Sequence, residues 1–159
     1  MKGLKKNKKG FTLIELLAVI VILGILMLVA IPSVTRFINQ SRQKTFKNAA
    51  QMIIDAVRSD AVNNQLPSSC DVTINEANIK LEKGDIQNYR GYVSVVRNDD
   101  DATYTYSINI LDTKNDFHLE AKETQINDVN YGTKTGDNGK FYRDTAESVS
   151  TPGTECSIH

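Results

Sequence analysis

The chain has no excess of either charge, 19 basic residues against 19 acidic ones, and no basic surface dominates its β-rich part. Arg90, Arg97, Lys114, Lys122, Lys134, Lys140 and Arg143 stand singly among acids. Phosphate neutralisation needs grouped cations, which argues against nucleic-acid binding as the primary role. Histidine is nearly absent. His118 falls on the polar side of a predicted strand and His159 ends the chain, and neither has a neighbouring nucleophile or metal-ligand spacing. Both read as surface histidines, and no catalytic residue, cofactor or metal site is expected. Asp99-Asp100-Asp101 and Gly136-Asp137-Asn138-Gly139 supply oxygen ligands but lack the EF-hand layout, so solvated turns are the better reading. With only two cysteines, Cys70 and Cys156, any covalent framework comes down to one bridge.

What is present is concentrated at the N-terminus. Lys2, Lys5, Lys6, Lys8 and Lys9 come with no acid, and after Gly10 the 21 residues from Phe11 to Ile31 carry one charge, Glu15. A helix of that length extends about 31 Å, which matches a hydrocarbon core of about 30 Å. The lysines hold the N-terminus in the cytoplasm while the remainder is exported. Glu15 is the anomaly, because a carboxylate in a membrane helix costs a few kcal/mol and is kept only with a partner. Nothing else in residues 12–31 is available to pair with it, and Lys9 lies outside the three or four residue spacing at which helical side chains meet. Cleavage between Gly10 and Phe11 would place a new α-amino group close in depth to Glu15. In a neighbouring copy shifted along the axis, that amine would meet the carboxylate and turn a costly charge into an assembly contact. Loss of the leader leaves 14 basic residues against 19 acidic ones, a net charge of −5.

Lys8-Lys9-Gly10-Phe11-Thr12-Leu13-Ile14-Glu15, followed by the apolar run, resembles the N-terminal signal of type IV pilin-like proteins: pilins, pseudopilins and competence pilins. The resemblance implies a pilin-like α+β fold and a filament subunit rather than an enzyme. It also implies that a prepilin peptidase cuts after Gly10 and methylates Phe11, and that Glu15 is the assembly carboxylate. Implied partners are further copies or co-pilins in a helical filament, the peptidase, an assembly platform and the membrane. A single-pass inner membrane precursor with its N-terminus in the cytoplasm would give way to an extracellular pilus or an envelope pseudopilus. A structural pilin, major or minor, serving adhesion, motility or surface attachment is the leading expectation. A pseudopilin of type II secretion or competence DNA uptake is the alternative, and calcium in a C-terminal loop would favour secretion. From another class, a monomeric membrane-anchored binding domain competes. An ordinary secretory signal would end in a small-residue cleavage site and would not hold Glu15 in its apolar core; Ala30, with Pro32 close behind, serves such a site poorly.

Beyond the apolar run the pattern narrows to a stripe of Val34, Phe37, Ile38, Phe46, Ala49, Ala50, Ile53, Ala56 and Val57. Its three and four residue steps predict one helix over 12–63, turned off by the chemistry around Pro67. Pro32, with Gly24 upstream, marks a bend or a stretch able to lose its helix on assembly. Alternation predicts strands over 89–97, 104–110 and 117–122, with turns at 98–101 and 112–115 and a less determined hairpin about Asn138-Gly139. The expected division is residues 1–10 as removed leader, 11–31 as membrane and filament-core helix, 32–64 as its amphipathic continuation, and 65–159 as an exported β-rich domain. That domain should place the helix on an antiparallel sheet of three or four strands. Both cysteines lie on the exported side, where oxidation is permitted, and a bridge is expected with two free thiols as the alternative.

Overall fold

The computed structural model describes residues 10–64, 66, 69–79, 81, 85–98, 100, 103–135, 137–144 and 152–156. The lysine leader, Pro67, Asp99, Asp101, Gly136 and His159 lie outside the described residues. Two compact units divide the chain, Met1–Ser41 and Arg42–His159. A 52-residue helix, α1 (Leu13–Asn64), contributes to both.

In the first unit the helix has no cover. Every large apolar side chain from Phe11 to Ile38 is exposed, Phe11 at 93% and Leu28 at 76%. The segment is long and apolar enough to cross a membrane. Pro32 sits inside the helix without ending it. Proline has no amide to offer the preceding turn, and beside it the Thr35 hydroxyl donates to the Ile31 carbonyl at 3.0 Å.

In the second unit the helix acquires a buried face. Phe46, Ala50, Ile53, Ile54, Val57 and Ala61 are all inside, three or four residues apart, as one stripe demands. They pack on a five-stranded antiparallel sheet of sequential order, β1 (Ser69–Thr73), β2 (Tyr89–Arg97), β3 (Tyr104–Asp112), β4 (Phe117–Lys122) and β5 (Lys140–Arg143). The helix-facing side carries Val72, Val93, Val95, Tyr106, Ile108, Ile110, Leu119 and Phe141, one residue in two along each strand. Phe46 is the centre of an aromatic group, its ring 5.8 Å from those of both Phe117 and Phe141 and 6.1 Å from that of Tyr89.

The sheet exceeds the expected three or four strands. β1 falls outside the strands expected above, although Cys70, Val72 and Ile74 alternate with Ser69, Asp71 and Thr73, and pairing with β2 (Val72 opposite Val93) completes it. The hairpin about Gly139 becomes β5, with Phe141 opposite Leu119. Short segments such as these owe their extended form to a neighbouring strand more than to intrinsic preference.

Polar side chains fasten helix to sheet. Half-buried Lys47 donates to the carbonyls of Asn127 (3.0 Å) and Val129 (2.5 Å), and burial pushes its pKa down against the pull of Asp128. Arg58 pairs with Asp55 at 2.7 Å and with Glu123, and lies over the Tyr106 ring. Each edge strand carries one isolated bridge to another segment of the chain. On β1, Asp71 donates its amide to Thr154 O (2.7 Å) and accepts from the Cys156 amide (2.9 Å). On β5, Phe141 exchanges bonds with Gly132 and Thr133. The Cys70–Cys156 disulfide, spanning 86 residues, ties the C-terminal segment to β1. Cys70 itself lies in the edge strand β1.

Gly91 in β2 has φ +135°, and a Cβ there would lie 2.0 Å from the Asn109 carbonyl oxygen of the adjacent strand. No side chain fits without parting β2 from β3. Gly91→Ala is expected to cost about 2–4 kcal/mol, and thus to lower the thermal midpoint of the second unit by roughly 10–20 °C. Circular dichroism melting of the purified protein measures this, and an unchanged midpoint would contradict the close approach of the two strands.

Candidate functional site

The candidate site begins where α1 begins. Thr12 precedes the first helical residue, and its hydroxyl accepts from the Glu15 amide at 3.3 Å while donating to Glu15 Oε2 at 2.8 Å. The Thr12 amide donates to the same carboxylate oxygen at 2.7 Å. This is a capping box, Thr-x-x-Glu, in which two otherwise unused backbone donors are satisfied reciprocally. The carboxylate lies in the first turn, the end of the helix where the backbone dipole favours an anion.

The expectation that nothing in residues 12–31 can pair with Glu15 is therefore corrected. Counting formal charges misses Thr12, because its hydroxyl and amide are neutral donors. The signal was available as Thr12-Leu13-Ile14-Glu15, a capping pattern directly before an apolar run. Thr12 satisfies one oxygen of the carboxylate and supplies no opposite charge.

Gly10 and Phe11 precede the helix, both exposed, so the peptide bond between them is outside helical structure. Gly24 stands in regular helix with open space around its α-carbon. Near Pro32 a shallow hollow runs along one side of the helix, lined by Val29, Ser33, Arg36, Phe37 and Gln40.

The outer side of the sheet differs from the reading of His118 as a surface residue. His118 is 5% exposed. Its Nε2 meets Asn109 Oδ1 at 2.7 Å and its Nδ1 meets the Tyr142 hydroxyl at 2.8 Å, with Asp144 at 3.6 Å. With the amide oxygen as acceptor, Nε2 carries the proton and Nδ1 accepts from the phenol. Registry explains the burial: Leu111, His118 and Tyr142 are aligned across β3, β4 and β5, so an apolar and an aromatic neighbour flank the imidazole. Leu111, out of step with the polar alternation, is the sequence signal that this end of the outer face is covered. One row further, Tyr92, Asn109, Glu120 and Lys140 border an open groove of about 250 Å³. Glu120 and Lys140 pair across it at 2.9 Å. Among the described residues no group of three or more His, Cys, Asp or Glu is arranged to hold a metal ion.

Comparison with known proteins converges on the N-terminal segment. A family model of the prokaryotic N-terminal methylation motif matches residues 5–31, so the chain carries a prepilin-type N-terminal motif. Over 38 residues it is 58% identical to the ComG operon protein 3 homolog of Bacillus licheniformis, covering 24% of this chain and 38% of that protein. Over 50 residues it is 46% identical to competence protein ComGC of Bacillus subtilis, covering 31% of this chain and 50% of that protein. The matches span half or less of these relatives' length. No solved structure matches with significance.

Burial is the largest influence on His118 and pushes its pKa down, outweighing Asp144 and Glu120, which pull it up; Lys140 also pushes it down. A base kept neutral by the fold contributes stability that is full above its unfolded pKa, about 6.5, and is lost as pH falls toward the depressed folded value. The second unit is thus expected to melt at lower temperature at pH 5 than at pH 7, with a smaller difference in His118→Gln. Calorimetry across that window checks it, and equal pH dependence in both proteins would show that His118 takes up its proton freely.

Proposed function

We propose that the chain is a structural subunit of a type IV pilin-like filament. It is made as a precursor, cut after Gly10, methylated on Phe11 and polymerised through α1. The observation that carries this reading is the pairing of the motif at residues 5–31 with an apolar helix surface left wholly bare from Phe11 to Ile38. Such a surface needs lipid before assembly and neighbouring helices after it. Residues 11–31 serve as membrane anchor and filament core, residues 32–64 as the link to the exported unit, and residues 65–159 as most of the filament coat. Before assembly the precursor spans the cytoplasmic membrane with its N-terminus inside; afterwards the subunit lies outside it. Partners are further copies or co-pilins, the peptidase and an assembly platform.

In this reading Glu15 has two successive states. Within the protomer Thr12 occupies one carboxylate oxygen. Cleavage then supplies a cation at Phe11 of an adjoining copy, and a charge-assisted hydrogen bond, about twice as strong as a neutral one, draws the carboxylate outward. Gly24 and Pro32 mark where the helix can yield as copies pack.

Among the machines that use such subunits, competence is favoured over adhesion or motility. Its support is the 46% identity to a protein named for competence, over half of that protein's length. The scattered cations of the β-rich unit leave nucleic-acid contact outside the proposal.

Mass spectrometry of the native protein should find Phe11 as the N-terminal residue, carrying one methyl group. Glu15→Ala should remain membrane-inserted and be processed while its incorporation into sedimentable filaments falls about tenfold, as removal of one charge-assisted hydrogen bond between subunits would produce. A protein retaining its lysine leader, or Glu15→Ala polymer at the wild-type level, would count against the reading.

A further inference from the structure

We propose that Arg36, Arg42 and Lys44 form a basic collar on α1 that pairs with the acidic exported unit of a second copy of this chain; this rests on the filament reading above. From Leu16 to Ile54 the sequence has no acid at all, and its four cations are Arg36, Arg42, Lys44 and Lys47. Residues 55–159 are the reverse, ten basic against eighteen acidic, a net of −8. Charge is thus segregated along the chain in a way that its overall neutrality conceals.

The cations of the helix are used differently. Lys47 turns inward onto the Asn127 and Val129 carbonyls, and Arg58 is taken by Asp55 and Glu123. Arg42 and Lys44 are exposed, and among the described residues of their own unit neither forms an ion pair. Arg36 is exposed likewise. On the other side, Asp100 and Asp137 are exposed acids without a cation partner among the described residues.

Stacking makes the complement necessary. Copies whose residues 55–159 carry a net −8, brought side by side, repel one another within a screening length of about 8 Å, and compact arrays of like charge need a counter-charge. The collar supplies three cations per copy, just beyond the apolar segment, where helices packed inside a filament would give way to the units outside. A single exposed pair is weak, but an open head-to-tail array repeats it at every subunit. Anionic lipid headgroups offer the same chemistry to a collar next to a membrane span. The acidic excess of the exported unit favours a second copy, because that excess repels an anionic bilayer as it repels its own kind.

The test uses full-length chain carrying Arg36→Glu, Arg42→Glu and Lys44→Glu, beside the conservative Arg36→Lys, Arg42→Lys, Lys44→Arg control. Sedimentable polymer is assayed between about 50 and 500 mM salt, a range over which the screening length shortens roughly threefold. Wild type and control are expected to lose polymer several-fold as salt rises. The reversed variant should start several-fold lower and respond little to salt, with leader removal and membrane retention unchanged. Normal, salt-sensitive polymer from the reversed variant would overturn the proposal while leaving the filament reading intact, provided Glu15→Ala still fails to assemble. Loss of binding to phosphatidylglycerol vesicles at unchanged polymer yield would overturn it in favour of lipid. No polymer from wild type under any condition would remove both readings together.

Discussion

An apolar helix surface with no cover inside its own chain is the constraint on which the rest depends. From Phe11 to Ile38 the large side chains are bare, while further along the same helix the stripe from Phe46 to Ala61 is buried to the last methyl. One element is thus made for two solvents. The first stretch is oily on every side and suits lipid or other helices; the second has one oily stripe and suits a sheet. The capping box at Thr12 and Glu15 lies at the open end of the oily stretch, where backbone amides lack intrahelical acceptors and an anion is favoured.

The second unit is stabilised by means suited to its size. Burial between the Phe46–Ala61 stripe and the sheet supplies the apolar core, and one disulfide closes a long loop of chain. On a loop-entropy basis a closure of that length contributes about 4–5 kcal/mol, a large share of a small domain's stability. Lys47 and Arg58 add specificity of placement: each joins the helix to the segment after β4 through geometry that a slipped register would break.

Several parts of this architecture are legible in sequence because a strong period or a strong exclusion marks them. The helix and the central meander follow from spacing, and the N-terminal motif from the resemblance of residues 8–15 to prepilin signals. Other parts depend on partners distant in sequence. β1 is extended because β2 lies beside it, the burial of His118 follows from Leu111 and Tyr142 on adjoining strands, and Gly91 is irreplaceable only once the Asn109 carbonyl is against it. The Thr12–Glu15 box is a different kind of omission, since the pattern is local and complete in four letters. It is overlooked when a buried acid is treated as a question of ions alone, although neutral donors satisfy a carboxylate too.

The bridge on each edge strand bears on how another chain could add to the sheet. Asp71 and Phe141, the residues through which another chain's strand could join, already exchange main-chain bonds with the protein's own C-terminal segment and with Gly132 and Thr133. At those two positions the template that drives cross-β growth is already occupied. A strand arriving from another chain at either position would first have to displace the protein's own segment, breaking two main-chain bonds before it could form its own.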